Sequence, residues 1–243
     1  MRPFELEGAV YLTAPTGASA VTLEDLRRCV AEASSASLFH HTQRRRLAAD
    51  DETPPDELSG WVRGVVQDYE TAERIGFAVQ SASAGSEPLR KRILEALEDL
   101  PLSVRERRAA PEGGRLSLLA VRPVPVPTGL QAEDADDLAR MLETATRDVW
   151  FHHLVEEPWF QPGEPTLLEW MREAGGDSLA ITLEREVRRR ASIESVRAAV
   201  RRHRRRSGIA NRVLSGEHAA PSETRDLARR LARRVAGEIG GGR

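Results

Sequence analysis

Apolar residues recur along this chain at the three- and four-residue spacing of amphipathic helices, and such segments cover most of the sequence. One buried helical face is predicted to consist of Leu58, Trp61, Val62 and Val65. Two short stretches, Phe4 to Leu12 and Leu116 to Val126, have the character of extended chain. Prolines at alternate positions of the second stretch remove backbone donors along one side, which predicts an edge strand or a polyproline segment. The chain is therefore predicted to be mainly α with small extended or β segments, α+β at most.

The same order of motifs occurs twice along the chain. Pro15-Thr16-Gly17 recurs as Pro127-Thr128-Gly129, and Phe39-His40-His41 recurs as Phe151-His152-His153, in both cases 112 residues later. Chance does not readily give two motifs the same offset. The sequence therefore predicts an internal tandem duplication of a small helical domain, which amounts to a pseudo-dimer within one chain.

This repeat divides the chain into four predicted segments. Residues 1–108 form copy one, residues 109–114 a linker rich in Gly and Pro, residues 115–207 copy two, and residues 208–243 a C-terminal joint and amphipathic helix. In each copy the Pro-Thr-Gly motif predicts a turn, because proline presets one backbone dihedral and glycine tolerates positive φ. Helix N-caps are predicted at Thr22, Asp68, Asp134 and Asp177.

The charge balance excludes a strong overall field. Thirty-six basic residues oppose thirty-eight acidic ones, for a net charge of -2, so any nucleic-acid surface must be local. The single cysteine, Cys29, cannot form an internal disulfide, and no apolar run approaches the roughly 20 residues that cross a bilayer. The first residues carry two glutamates where a signal peptide needs an apolar core. These features predict a cytoplasmic protein without a membrane partner.

Several motifs of copy one resemble a known family. Thr16-Gly17, Leu23-Glu24-Asp25-Leu26, the run Ser37 to Thr42 and Trp61-Val62 are similar to the prokaryotic domain of unknown function catalogued as number 5752. The resemblance covers most of both copies and implies a fold, but no reaction, cofactor or substrate. Copy two departs from the pattern, with Leu154 where copy one has Thr42. A chemical role for that position would be confined to copy one.

Adjacent histidines in each copy are the candidate metal ligands, because histidine is the commonest metal-binding side chain. The four residues are His40, His41, His152 and His153. Neighbours on a helix point about 100° apart, so a pair of this kind is a poor chelator of one ion. We expect one ring of each pair to face outward and the other to face inward and donate its N–H to a backbone carbonyl, with no bound metal or cofactor. Copy one also lacks an acidic counterpart of Glu156-Glu157, having Arg44-Arg45 there.

Other reactive side chains have structural interpretations that are favoured over chemical ones. Trp61 and its counterpart Trp170 could stack on a base or sugar, but both lie on the apolar face of a predicted helix. Asp68 and Asp177 could be general acids, but each is also a suitable N-cap. Cys29 could be a nucleophile, but copy two has methionine at the equivalent position, which packing tolerates and catalysis does not.

The strongest local charge lies between Arg185 and Arg206, where ten arginines oppose two glutamates. An arginine-rich helix can neutralise several phosphates without reading bases. The candidate phosphate or nucleic-acid contacts are Arg197, Arg201, Arg202, Arg204 and Arg205. The alternative is an amphipathic helix whose arginines are solvated or paired with acidic side chains.

Taken together, these patterns favour a cytoplasmic binding or accessory module over an enzyme. Its expected partner is another protein of unknown identity, since a chain with two like domains can reproduce the interface of a homodimer. Two alternatives stay open. One is a metal-assisted hydrolase that uses the histidine pairs, and the other is a non-specific nucleic-acid binder that uses the arginine-rich helix.

Overall fold

A computed structural model describes residues 2–44, 56–81, 85–161, 166–189 and 191–214. The predicted C-terminal amphipathic helix lies outside these ranges. The fold is mainly helical with one small sheet, as the apolar pattern predicted. Within the described ranges, no helix combines the length and the apolar character that a bilayer crossing requires.

Two strands and twelve α-helices make up the described chain, together with two π-helical segments that continue α3 and α8. The elements are β1 (Phe4–Ala20), α1 (Leu23–Glu32), α2 (Ser35–Gln43), α3 (Glu57–Trp61), the first π segment (Val62–Val66), α4 (Tyr69–Ser81), α5 (Ser86–Glu98), α6 (Leu102–Arg107), β2 (Leu116–Ala132), α7 (Ala135–Thr144), α8 (Arg147–Phe151), the second π segment (His152–Glu156), α9 (Glu157–Phe160), α10 (Leu167–Glu173), α11 (Asp177–Arg188) and α12 (Ile193–Leu214).

The two strands pair with each other in antiparallel orientation along their whole length. Phe4 lies opposite Ala132, Tyr11 lies opposite Pro123 near the middle, and Ala20 lies opposite Leu116. The strand of the N-terminal half is thus paired with the strand of the C-terminal half. Both strands are sheet edges, so the prediction of a proline-bearing edge strand is confirmed for β2.

Each strand runs through its Pro-Thr-Gly motif, so the predicted turns are wrong. The register shifts there instead, and both glycines adopt positive φ, 82° at Gly17 and 76° at Gly129. The Thr16 hydroxyl donates to the Leu118 carbonyl at 2.8 Å, and the Thr128 hydroxyl donates to the Leu6 carbonyl at 2.6 Å. A threonine hydroxyl thereby takes the place of a ladder donor, and the motif makes a β-bulge that lets the strand continue.

One hydrophobic core includes residues from both halves of the chain. Phe39 and Phe151, which occupy equivalent positions in the predicted repeat, lie 5.9 Å apart between ring centroids. Leu58, Trp61 and Val62 are buried as the helical pattern predicted, whereas Val65 is only partly buried. The first π segment follows Trp61 directly and ends at Gln67 in the left-handed region, with φ of 61°.

Three of the four predicted helix caps are present. The Thr22 hydroxyl accepts from the backbone of the third helical residue, Asp134 does the same for α7, and buried Asp68 accepts from the N–H and hydroxyl of Thr71. Asp177 is not a cap, because Gly176 takes that position and Asp177 is the first residue of α11. Glycine fits there because the backbone carbonyl of Met171 lies only 2.9 Å from where a Cβ would be.

Replacing Gly176 by alanine tests this close packing. The added methyl would also meet Ala135 Cβ and Met171 Cγ, each at 2.8 Å, so we expect the free energy of unfolding to fall by about 1–3 kcal/mol. Urea denaturation measures this change. The matched control is Gly64→Ala, since nothing lies within 4 Å of a Cβ there. Equal stability of the two variants would contradict the proposed contact.

Candidate functional site

All four histidines of the two pairs are buried, with exposed fractions of 7% for His40, 2% for His41, 3% for His152 and 2% for His153. The first pair lies in α2 and the second begins the second π segment. The expectation that one ring of each pair faces solvent is wrong, because these helical segments are covered on more than one side by the sheet and the core. The ring centroids lie 4.8 Å apart in the first pair and 5.0 Å apart in the second.

His41 joins a strand of the sheet to a carboxylate. Its Nε2 accepts the backbone N–H of Leu119 at 2.9 Å, and its Nδ1 lies 2.8 Å from Glu57 Oε2. A backbone N–H is an obligatory donor, so Nε2 carries a lone pair and the ring proton sits on Nδ1. Nδ1 therefore donates to Glu57. Leu119 belongs to β2, so a helix of the N-terminal half binds the strand of the C-terminal half.

His153 repeats this arrangement on the other strand. Its Nε2 accepts the Glu7 N–H of β1 at 2.9 Å, and its Nδ1 lies 3.0 Å from Glu157 Oε2. The two carboxylates come from non-equivalent places, since Glu157 is four residues further along the same helix and Glu57 begins α3. The N-terminal half has arginines at the positions that match Glu156 and Glu157, and its clasp carboxylate comes instead from Glu57. We call the His41–Glu57 and His153–Glu157 pairs the two clasps.

The clasps satisfy backbone donors that face away from the ladder. Glu7 lies opposite Pro127 and Leu119 lies opposite Pro15. Because proline cannot exchange both ladder hydrogen bonds, each clasped residue is in a non-hydrogen-bonded pair, and its N–H points away from the partner strand. A buried donor without a partner costs about 1–3 kcal/mol, and open strand edges also invite unwanted pairing. The rings thus accept from the backbone, which reverses the expected donation to a carbonyl.

The same hydrogen bonds bear on the metal interpretation. His40, His41 and Glu57 place potential ligand atoms within 4.8 Å of one another, and so do His152, His153 and Glu157. An ion bound at Nδ1 of a clasp histidine would displace the Nδ1 proton and use the lone pair left there, while the Nε2 lone pair still accepts the strand N–H. The ring would then carry no proton at all, a costly imidazolate. The close approach of these atoms favours a metal site, but the hydrogen bonds of the clasp histidines oppose one.

The two histidines outside the clasps differ from each other. His40 Nδ1 has no hydrogen-bonding partner among the described residues, and burial lowers the pKa of His40. His152 Nδ1 lies 2.9 Å from Glu156 Oε2. Burial alone would lower the pKa of His152, but the carboxylates of Glu156, Glu157 and Glu7 together outweigh burial and raise that pKa. The pKa values of His40 and His152 therefore shift in opposite directions. One position distinguishes the two surroundings, because the N-terminal half has Arg44 where the C-terminal half has Glu156.

Tyr11 lies between these two diverged side chains at the middle of the sheet. The Arg44 guanidinium lies 5.8 Å from the centre of its ring. Burial, and then the interaction with Glu156, raise the pKa of Tyr11 well above its usual range. The phenol is therefore held in its neutral form beside the buried carboxylate.

A cavity of about 220 Å³ opens between β2 and the segment that includes the second π segment and α9. Its strand wall carries Arg122, Pro123 and Pro125, and its helical wall carries His152, Glu156, Glu157, Phe160 and Gln161. Glu156 is 1% exposed, and its carboxylate interacts with His152 and with the neutral phenol of Tyr11. The exposed Arg122 makes no ion pair within the described part of the chain. The cavity thus joins a buried acceptor to a guanidinium.

The other candidate residues have structural surroundings. Trp61 and Trp170 are each 7% exposed, and their indole N–H groups donate to the carbonyls of Gly114 at 2.7 Å and Arg2 at 2.9 Å. Both acceptors lie just before a strand. Burial raises the pKa of the Cys29 thiol, which disfavours the nucleophilic thiolate.

The candidate arginines of α12 divide into two groups. Arg197 donates to Glu194 at 2.7 Å and to the Ala145 carbonyl at 2.5 Å, and Arg204 pairs with Glu143 at 2.9 Å. Both therefore hold α12 against the rest of the protein. Arg201, Arg202 and Arg205 are exposed. The nucleic-acid interpretation stays a prediction that rests on these three.

Sequence reasoning missed Glu57, Arg122 and Phe160 as members of these sites. Their partners lie far away along the chain, and no local motif marks them. Glu156 was visible beside the second histidine pair, and its four-residue spacing from His152 was the available signal.

Comparison with known proteins supports the fold assignment. A model of the family of unknown function DUF5752 matches residues 1–202. No curated protein matches the chain. The structure of OrfY from Thermoproteus tenax superposes with a TM-score of 0.70 at 22% identity, covering 84% of this chain and 95% of that one. This likeness concerns the fold alone.

Replacing His41 by phenylalanine tests the clasp. The variant keeps a buried ring but leaves the Leu119 N–H without its acceptor, so we expect the free energy of unfolding to fall by about 1–3 kcal/mol. Denaturation with urea measures this loss, and His41→Gln, which keeps an acceptor, should lose less. Metal analysis of untagged protein is the second readout. Stoichiometric zinc, iron or manganese in the wild type that disappears in His41→Phe would contradict the structural role.

Proposed function

We propose a function for this chain, which belongs to the family of unknown function DUF5752: it is a binding module that holds a small molecule in the cavity between β2 and α9. The lining of this cavity carries the proposal, because its helical wall brings the buried carboxylate of Glu156 beside His152 and the apolar ring of Phe160.

The surroundings of Glu156 support a binding site. A cavity in which a few polar groups converge beside apolar surface is the usual form of a small-molecule site. Here Phe160 and the two prolines supply the apolar surface, and His152 fixes the orientation of the carboxylate through its hydrogen bond to Oε2. A pKa shifted by a specific charged neighbour, as in His152, is also common at functional sites.

We infer that the module arose by internal duplication, with residues 1–108 and 115–207 as the two copies. Equivalent contacts support this inference. The hydroxyls of Thr16 and Thr128 donate to carbonyls that are 112 residues apart. The indole N–H groups of Trp61 and Trp170 also donate to carbonyls that are 112 residues apart. Duplication frees one copy to change, and the change from arginine to glutamate at Glu156 would have created the acidic cavity in the second copy.

Binding is favoured over metal-assisted hydrolysis by the hydrogen bonds of the clasps. A hydrolase of that kind needs the histidine lone pairs, and the Nε2 lone pairs of His41 and His153 are used to accept strand N–H groups. The protein is proposed to work in the cytoplasm, on the basis of its single buried Cys29.

Filling the mouth of the cavity tests the proposal. Gln161→Trp places a bulky ring at the cavity wall, and Gln131→Trp makes the same change on β2 away from the cavity. A library of small soluble fragments would be screened by amide chemical shifts. We expect hits whose shifts cluster on cavity residues in the wild type and in Gln131→Trp, and whose shifts vanish in Gln161→Trp. Hits without such a cluster, or a cluster unchanged by Gln161→Trp, would refute the proposed site.

A further inference from the structure

We propose that residues 222–239 of this chain, which we call the tail segment, pack as an amphipathic helix across the exposed face of the two-stranded sheet. The tail segment lies outside the described ranges, so its helix is the one that the sequence predicts. The face that it would cover lies within them, and none of the residues that line the cavity belongs to that face. The docking is therefore independent of the proposed binding function.

The exposed face of the sheet carries four aliphatic side chains. Val10 lies directly opposite Val124, and directly opposite residues of an antiparallel pair project to the same face. Leu12 and Val126 lie two residues further along β1 and β2, so they share that face. The exposed fractions are 55% for Val10, 61% for Leu12, 37% for Val124 and 43% for Val126. We call these four residues the ribbon patch. An exposed apolar surface of this kind is typical of a site where another element packs.

The tail segment has an apolar face of matching character. Its stripe, Leu227, Leu231, Val235 and Ile239, recurs every four residues and so follows one side of a helix. Alanines widen the stripe on one flank, whereas Arg229 lies on the opposite side of the helix. An amphipathic helix gains most of its stability from the packing of its apolar face. The stripe therefore requires an apolar surface, and the ribbon patch provides one.

The path of α12 leads toward the end of the sheet where β2 enters α7. His203 Nδ1 lies 3.3 Å from the hydroxyl oxygen of Ser178, near the start of α11. Gly176, just before α11, packs so closely on Ala135 at the start of α7 that a Cβ added to Gly176 would lie 2.8 Å from the Ala135 Cβ. Helix α12 continues from His203 to Leu214, a distance of about 16 Å at 1.5 Å per residue. The chain thus leaves α12 beyond the start of α7.

Chain length and helix length both fit this docking. Residues 215–226 connect α12 to the stripe and can span about 40 Å when extended, against a radius of gyration of about 17 Å for a folded domain of about 200 residues. The stripe from Leu227 to Ile239 is about 18 Å long. The stretch of β2 from Val124 to Leu130 is about 20 Å long, and Leu130, at its α7 end, is 43% exposed.

The covalent connection selects the occupant of the ribbon patch. A short flexible linker gives a tethered segment an effective concentration in the millimolar range. A second copy of the chain, or another protein, has to reach the patch from free solution at a lower concentration. The tail segment of the same chain is therefore the favoured occupant.

Disulfide trapping in the full chain tests this docking. Cys29, the single native cysteine, is buried, so introduced cysteines can be paired without interference. Val124→Cys would be combined in turn with Leu227→Cys, Leu231→Cys and Val235→Cys. We expect at least one of these pairs to form a disulfide within one chain under mild oxidation, seen by mass and by faster migration on a non-reducing gel. The matched control, Val124→Cys with Arg229→Cys, should stay largely reduced.

Two outcomes of the trapping would overturn the docking. In the first, no stripe pair oxidises faster than the Arg229→Cys control. In the second, the disulfides join two chains, which would place the tail segment on a second copy. Methyl spectra of the full chain give a second measurement. Leu231→Ser should move the methyl signals of the ribbon patch, whereas Arg229→Ser should leave them in place. Patch signals that Leu231→Ser does not move would also contradict the docking.

Discussion

The structure depends on how the backbone donors of a two-stranded sheet are satisfied. Such a sheet has two edges, and an isolated pair of strands is marginally stable in water. Here two strand N–H groups that face away from the ladder, those of Leu119 and Glu7, are bound by buried imidazole rings. Each ring is held in the required tautomer by a carboxylate. One histidine of each pair, His41 and His153, thus serves the sheet.

The clasps also connect the two halves of the chain. His41 belongs to the N-terminal half and binds β2, whereas His153 belongs to the C-terminal half and binds β1. The tryptophans follow the same rule, since Trp61 bonds the carbonyl before β2 and Trp170 bonds the carbonyl before β1. Each half therefore holds the strand of the other. Arg44 and Glu156, which lie at corresponding positions of the predicted repeat, make neither kind of contact and differ in charge, and the cavity lies beside Glu156.

Local pattern predicted the helical character, the edge strand and the buried face that includes Trp61, because each depends on residues close together in sequence. Strand pairing did not follow from the pattern, since Tyr11 and Pro123 are more than one hundred residues apart. Nor did the clasp carboxylates, because Glu57 and Glu157 occupy different positions in the predicted repeat. The cavity combines Arg122 from a strand with Phe160 from a helix, and neither residue carries a motif.

The tautomers of His41 and His153 test the central claim most directly. Long-range nitrogen–proton correlation spectra of ¹⁵N-labelled protein at neutral pH distinguish a protonated ring nitrogen from one that accepts a hydrogen bond. The clasp geometry predicts a proton on Nδ1 and a lone pair on Nε2 in both rings. A proton on Nε2 in either ring would contradict it, because that nitrogen could not then accept the strand N–H.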